Sequence, residues 1–285
     1  MQYMNSSFRY IGRHFWRMLL YFILPAIVLG AANSPVSLIK LLTQSDFGDS
    51  LSFDEVFLGA SDLTDGWRVA LVVLGFILYV FFASAAVGSI QHKMRYGEFY
   101  PVSARRFFRK VNANAIAITL GMVALMIMVE LLGFFVSVFV FFWSQVMSGA
   151  AALAMSAVTV VVGSACFMIV ATMFVLVIPN MTVKGYGFFT AIRRSVPVAC
   201  KNFGRLLAAV VIPVIIAYLP PCLAYGFDVP GLKQVTDVLF YLFAFISFHV
   251  LMCVAFCDIE DIEREDLKKY AERVSCGIQA FAQHT

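Results

Sequence analysis

Long apolar runs alternate with short polar connections along this chain. Six of the runs, 16–32, 67–90, 115–143, 150–179, 206–225 and 235–256, are long enough to cross a hydrocarbon layer as helices, which takes about 17 to 25 residues. The third and fourth are nearly 30 residues long, so each has to tilt, kink or protrude. In the second, the stretch Ala83–Ser89 is rich in small residues, which let helix backbones approach closely and predict packing on another helix. The fifth carries Pro213 and the pair Pro220–Pro221. Pro213 predicts a bend, because it removes a helical hydrogen bond, and the pair predicts the outer end. The pattern as a whole predicts an all-α polytopic membrane domain over 1–257 with interfacial amphipathic helices, followed by a charged tail over 258–285.

The connections leading into the odd-numbered runs are themselves patterned. Residues 1–17 carry Arg9, Arg13 and Arg17 opposite an apolar face of Phe8, Ile11, Phe15 and Leu19, with Ser6 or Ser7 placed to cap the helix. Residues 191–205 carry Arg193, Arg194, Lys201 and Arg205 beside Ile192, Val196, Ala199 and Phe203. Setting Arg17 on Arg205 brings Phe15 onto Phe203, Ser7 onto Ser195 and Pro25 onto Pro213. A looser middle copy sets Arg105, Arg106 and Asn114 on Arg193, Arg194 and Asn202, while Tyr96–Gly97 meets Tyr186–Gly187 only after a two-residue shift. The reading is three parallel two-helix units, each introduced by a basic amphipathic segment. The first run also resembles a secretory signal, but the repeat argues for a retained helix.

Composition agrees with a membrane protein. The chain of 285 residues is 61% hydrophobic and 13% charged, about half the charged share of a soluble domain. With the amino terminus in the cytoplasm, 18 of the 21 Lys and Arg residues lie in inner segments; Lys40, Arg68 and Lys233 lie outside. The positive-inside tendency therefore predicts both termini in the cytoplasm. Trp16, Trp67 and Trp143 all sit at run ends, the headgroup level that aromatic rings favour. The long connection 33–66 is acidic, with a short surface helix expected near 35–42, and residues 258–273 read as a soluble or surface-lying helix.

The stretch Val177–Ile178–Pro179, Ala191–Ile192–Arg193–Arg194–Ser195 and Lys201–Asn202–Phe203–Gly204–Arg205–Leu206–Leu207 resembles a group of six-helix bacterial membrane proteins. That group includes YciC-like proteins and the membrane domain attached to some glycerophosphodiester phosphodiesterases. The specific part covers about 30 residues, and Pro197 inside the segment departs from the pattern. The resemblance implies a bacterial cell-membrane protein of this architecture and no particular activity.

Two polar groups fall inside the runs. Glu130 lies near the middle of the third, where an acid costs at least about 2.5 kcal/mol unless partnered or protonated. It is a candidate proton- or cation-binding group, against the plainer reading of one acid hydrogen-bonded to a neighbouring helix. His249 lies in the sixth, with Cys253 and Cys257 at helical spacing on the same face. A His with two thiolates suits zinc or copper, but no other run supplies a fourth ligand and buried cysteine usually packs as a small apolar residue. A direct His249–Glu130 pair requires tilt, because the two lie at depths about 12 Å apart at the helical rise. The six cysteines show no CxxC or zinc-ribbon spacing.

No phosphate loop, nucleophile elbow or HExxH motif occurs. The reading is a non-enzymatic integral membrane protein without cofactor or metal and without nucleic-acid binding, acting as a structural, lipid-interacting or partner-binding module. Its expected partners are the bilayer and a possible membrane protein. Arg9, Arg13, Arg17, Arg105, Arg106, Arg109, Arg193, Arg194, Lys201 and Arg205 suit anionic lipid headgroups. The alternative is a small transporter or channel subunit using Glu130, which a water-filled path to that residue would favour.

Overall fold

The computed structural model describes residues 2–36, 66–99, 104–227 and 230–268, apart from the side chains of 2, 104–110, 112, 113, 129, 130 and 230. Every regular element among them is a helix: α1 (Gln2–Ala32), α2 (Gly66–Tyr96), α3 (Ala104–Val146), α4 (Gly149–Phe174), α5 (Val177–Lys184), α6 (Phe188–Lys201), α7 (Phe203–Gly226) and α8 (Pro230–Ile259). Six stretches are long and apolar enough to cross a membrane, with α4 and α5 together forming one of them. A helix satisfies its own backbone groups, which is why apolar runs take this form in lipid. The acidic connection after Val36, including the short helix expected near 35–42, and the tail beyond Lys268 lie outside the described residues.

The crossings pack in chain order into a closed ring. Helix α1 lies on α2, α2 on α3, α3 on α4, α4 on α7, α7 on α8, and α8 closes back onto α1. The closure is tight. A Cβ on Gly30 of α1 would fall 2.7 Å from the backbone nitrogen of Val238 on α8. Helix α8 also reaches across to α2 and α5, and Val250–Phe256 along it are continuously buried. The small-residue half of α2 packs as expected: 83–91 are all buried. There Asn114 of α3 donates to the Ser84 carbonyl at 3.3 Å, and Tyr21 of α1 shares a 2.9 Å hydrogen bond with Ser89.

The repeat is visible in the backbone. Helix α1 breaks at His14 (φ −125°, ψ 19°), and α6 gives way to α7 at Asn202 (φ −107°, ψ 16°). These are matched positions when Arg17 is set on Arg205. Ser7 and Ser195 are both buried, as are Met18 and Leu206. The middle copy lacks the break, since α3 runs as one helix of 43 residues. The helices that end the three units all stop at a left-handed residue: Gly97 (φ 69°), Gly185 (φ 70°) and Asp261 (φ 49°). Gly97 and Gly185 coincide in the same register that sets Arg105 on Arg193. The two-residue shift needed to match Tyr96–Gly97 with Tyr186–Gly187 therefore disappears, because the shared feature is the cap geometry and not the tyrosine.

Two local expectations change, and the kink expected of the long fourth run is located. Neither serine caps α1: the helix is already formed at Gln2, and buried Ser7 donates back to the Tyr3 carbonyl at 2.8 Å, an option open to serine inside a helix. The fourth crossing breaks at Val175–Leu176, where Pro179 in the next turn lacks an N–H and crowds the carbonyl four residues back. Helix α7 does not end at Pro220–Pro221 but continues to Gly226, as membrane helices do where local adjustment re-satisfies the freed carbonyls.

Candidate functional site

His249 and Tyr79 meet inside the ring. The Tyr79 Oη lies 3.1 Å from His249 Nε2, and His249 Nδ1 lies 2.7 Å from the Phe245 carbonyl of its own helix. A carbonyl only accepts, so Nδ1 carries the proton; Nε2 of the neutral ring then accepts from the tyrosine hydroxyl. His249 is fully buried and Tyr79 nearly so. Phe22 and Phe245 enclose the pair, their ring centroids 5.0 Å from His249 and 4.5 Å from Tyr79 respectively. The Met122 sulfur of α3 lies 3.5 Å from the hydroxyl. Four helices, α1, α2, α3 and α8, thus converge on two neutral groups that satisfy each other.

Both ring nitrogens of His249 are taken, which leaves none for the pair with Glu130. The Glu130 side chain lies outside the described residues. Cys253 and Cys257 follow on the same face of α8 and are buried in the main apolar core. Tyr79 is the partner that hydropathy conceals, since one hydroxyl barely changes the apolar score of its run. Asp237, near the start of α8, is also buried.

The end of the bundle where α2 and α5 finish is basic and locally ordered. Arg17 of α1 lies over the Phe99 ring at 4.0 Å, with Lys93 at 5.2 Å and the His14 ring 5.0 Å away edge-on. Arg194 lies 4.4 Å over the Tyr186 ring and donates to its hydroxyl. Arg9, Arg17, Arg193, Arg194, Lys201 and Arg205 are exposed, and Arg13 is half-buried. The side chains of Arg105, Arg106 and Arg109 lie outside the described residues. Helix α6 is held against the bundle by Ala191, Ser195 and Ala199, all fully buried. Asn180 of α5 donates to Ser195 at 2.9 Å and to the Leu176 carbonyl at 3.0 Å. Part of the apolar stripe expected to lie on the bilayer, Ala199 above all, therefore faces protein. Protein-to-protein packing is available to it because α5 and α6 fold back on each other.

The tail caps this end. After α8 the chain turns, and Arg264 is buried between Asp266, 3.1 Å away, and Asp258 at 3.9 Å. Lys184 pairs with Glu260, and Gln91 donates to Thr182 at 2.7 Å. Further along, a hydrogen bond to Glu263 holds the exposed Lys268 ammonium above its usual range. Of the surface helix expected over 258–273, residues 265–268 are helical, whereas 260–264 form the turn after α8 instead. A cavity of only about 10 Å³ remains between Gln91, Arg95, Cys253 and Phe256, at the lower limit for one water.

The arrangement ties helices together and presents cations. Comparison of the chain with protein-family models, with curated proteins and with solved structures returns no match.

Proposed function

We propose that the protein is a multipass scaffold that sits with its basic end in the cytoplasm and holds anionic lipid headgroups there. The observation that carries this reading is the division of labour at the basic end. Helix α6 spends its small residues on the bundle and leaves Arg193, Arg194 and Lys201 exposed, with Arg205 following at the start of α7 and Arg9 and Arg17 presented by the matched segment of α1. Repeated cations at the depth of headgroups attract anionic lipid, about 1 kcal/mol for each residue near a charged surface. The closed centre around Tyr79 and His249 favours a scaffold over a conduit. A bacterial inner membrane, rich in such lipid, fits the resemblance of the 177–207 segment.

The test compares thermal stability of the full chain in phosphatidylcholine vesicles with and without phosphatidylglycerol. The expected result is a higher melting temperature with the anionic lipid, and loss of that gain in Arg193→Gln/Lys201→Gln/Arg205→Gln. Equal stability in both lipids overturns the reading.

A further inference from the structure

The chain after α8 is fastened firmly for a short distance and loosely thereafter. Helix α8 ends in a Schellman turn, in which the Ile262 amide donates to the Cys257 carbonyl at 2.9 Å across Asp261, whose φ is 49°. Ile262 packs on the main apolar core, and Lys184 of α5 pairs with Glu260. The root of the tail is thus tied down by backbone, apolar contact and charge.

Beyond Ile262 the ties change character. Among the described residues, the hydrogen bonds and ion pairs of 263–268 run to one another or to Asp258 at the end of α8. Arg264 meets Asp266 through Nε and Nη2 and lies 3.9 Å from Asp258. Lys268 meets Glu263 and Glu265, and the amides of Leu267 and Lys268 turn back to the Arg264 carbonyl. Among the described residues, none of these bonds crosses to α1, α2 or α5. Arg264 and Asp266 are nevertheless 7% and 8% exposed. Both lie within electrostatic reach of Tyr10 on α1, which is 2% exposed.

That burial leaves two polar atoms without partners, Tyr10 Oη and Arg264 Nη1. A buried donor left unpaired forfeits its hydrogen bonds to water and gains nothing in exchange. Seating 263–268 therefore strands two donors and forms no hydrogen bond to the helix beneath. The Arg264–Asp266 pair is internal to the segment, so it survives lifting. Tyr10 belongs to the basic part of α1 that precedes the break at His14.

We propose that 263–268 is a hinged strap that pivots behind Ile262. It exchanges between a seat on α1 and an open position in which Tyr10 and Arg264 both meet water. Seated, it is a catch on the first basic segment; lifted, it releases that segment from the tail. No lipid enters the proposal, so it stands apart from the collar reading.

The experiment treats the full chain in maltoside micelles with phenylglyoxal, which modifies accessible guanidinium groups, and follows Arg264 by mass spectrometry. Exposed Arg193 gives the unprotected rate. Maleimide labelling of buried Cys253, relative to free cysteine, gives the protection lost only on unfolding. Arg264 is expected to react several-fold more slowly than Arg193, with protection about tenfold or more below that of Cys253, as local opening requires. Tyr10→Phe removes one stranded donor from the seat and is expected to slow Arg264 modification several-fold, with Arg193 unchanged; Tyr10→Met serves if that variant does not fold. Protection of Arg264 equal to that of Cys253 overturns the proposal, because the segment then opens only when the protein unfolds. So does a rate equal to that of Arg193, which removes the seat. An unchanged or faster Arg264 rate in Tyr10→Phe also overturns it, since the hydroxyl is then satisfied in the seat by water.

Discussion

His14 and Asn202 hold the same non-helical turn of backbone at matched places in the first and third units, with φ/ψ of −125°/19° and −107°/16°. Each joins an amphipathic segment to a crossing, and each is followed by phenylalanine and, three residues on, by arginine. The break lets the basic segment turn away from the axis of the crossing. That separates the surface presenting cations from the surface packing the bundle.

The shared caps predict a shared cost. Gly97 and Gly185 sit at φ near 70°, where a Cβ meets the neighbouring carbonyl. Gly97→Ala and Gly185→Ala are each expected to lower stability by about 1 kcal/mol. Thermal unfolding in detergent, followed by thiol labelling of buried Cys253 and Cys257, measures this. No change in either variant contradicts a cap role.

Ring closure rests on Gly30. A methyl there would strike the α8 backbone at Val238, and backbone cannot swing aside as a side-chain tip can. Gly30→Ala is expected to cost about 1–3 kcal/mol, the range for overpacking a close contact. Gly12→Ala, with nothing within 4 Å of the added atom, serves as the control and should leave the melting temperature unchanged or slightly raised. Similar melting curves for both variants would falsify the close α1–α8 approach.

Removing the Tyr79 hydroxyl strands a buried acceptor on His249. Tyr79→Phe is expected to lose about 1 kcal/mol, near the middle of the range for hydrogen bonds between membrane helices. His249→Phe/Tyr79→Phe removes both partners and should recover part of the loss. The double variant melting well below Tyr79→Phe argues against a mutual tie.

The tail anchor predicts strong asymmetry. Arg264→Leu leaves Asp266 and Asp258 at a buried site without their cation, at a cost of about 3 kcal/mol. Arg264→Leu/Asp266→Leu should be considerably milder. Protease sensitivity of the chain after α8, read on gels, is expected to rise in the single variant and less in the double. Equal sensitivity of the two means that the tail is held by something else.

Much of the architecture was already legible in the linear chain, for a physical reason. Lipid admits only long apolar helices, so hydropathy alone marks six crossings, and the basic segments mark which ends lie together. Even the pseudo-repeat shows through Phe15, Arg17 and Pro25 against Phe203, Arg205 and Pro213, although its middle copy is clear only from the αL caps. What hydropathy does not encode is rotation and tilt. It could not say that α8 closes on α1 through Gly30, that Tyr79 faces His249 across the ring, or that Arg264 is buried by the tail's own aspartates. The first two contacts join residues far apart in the chain and depend on which face each helix turns inward; the third is local in sequence, but its burial depends on the tail folding back against the bundle. Sequence determined that the chain crosses the membrane and in what order; tertiary packing decided which polar groups found partners and which apolar surface was left open to lipid.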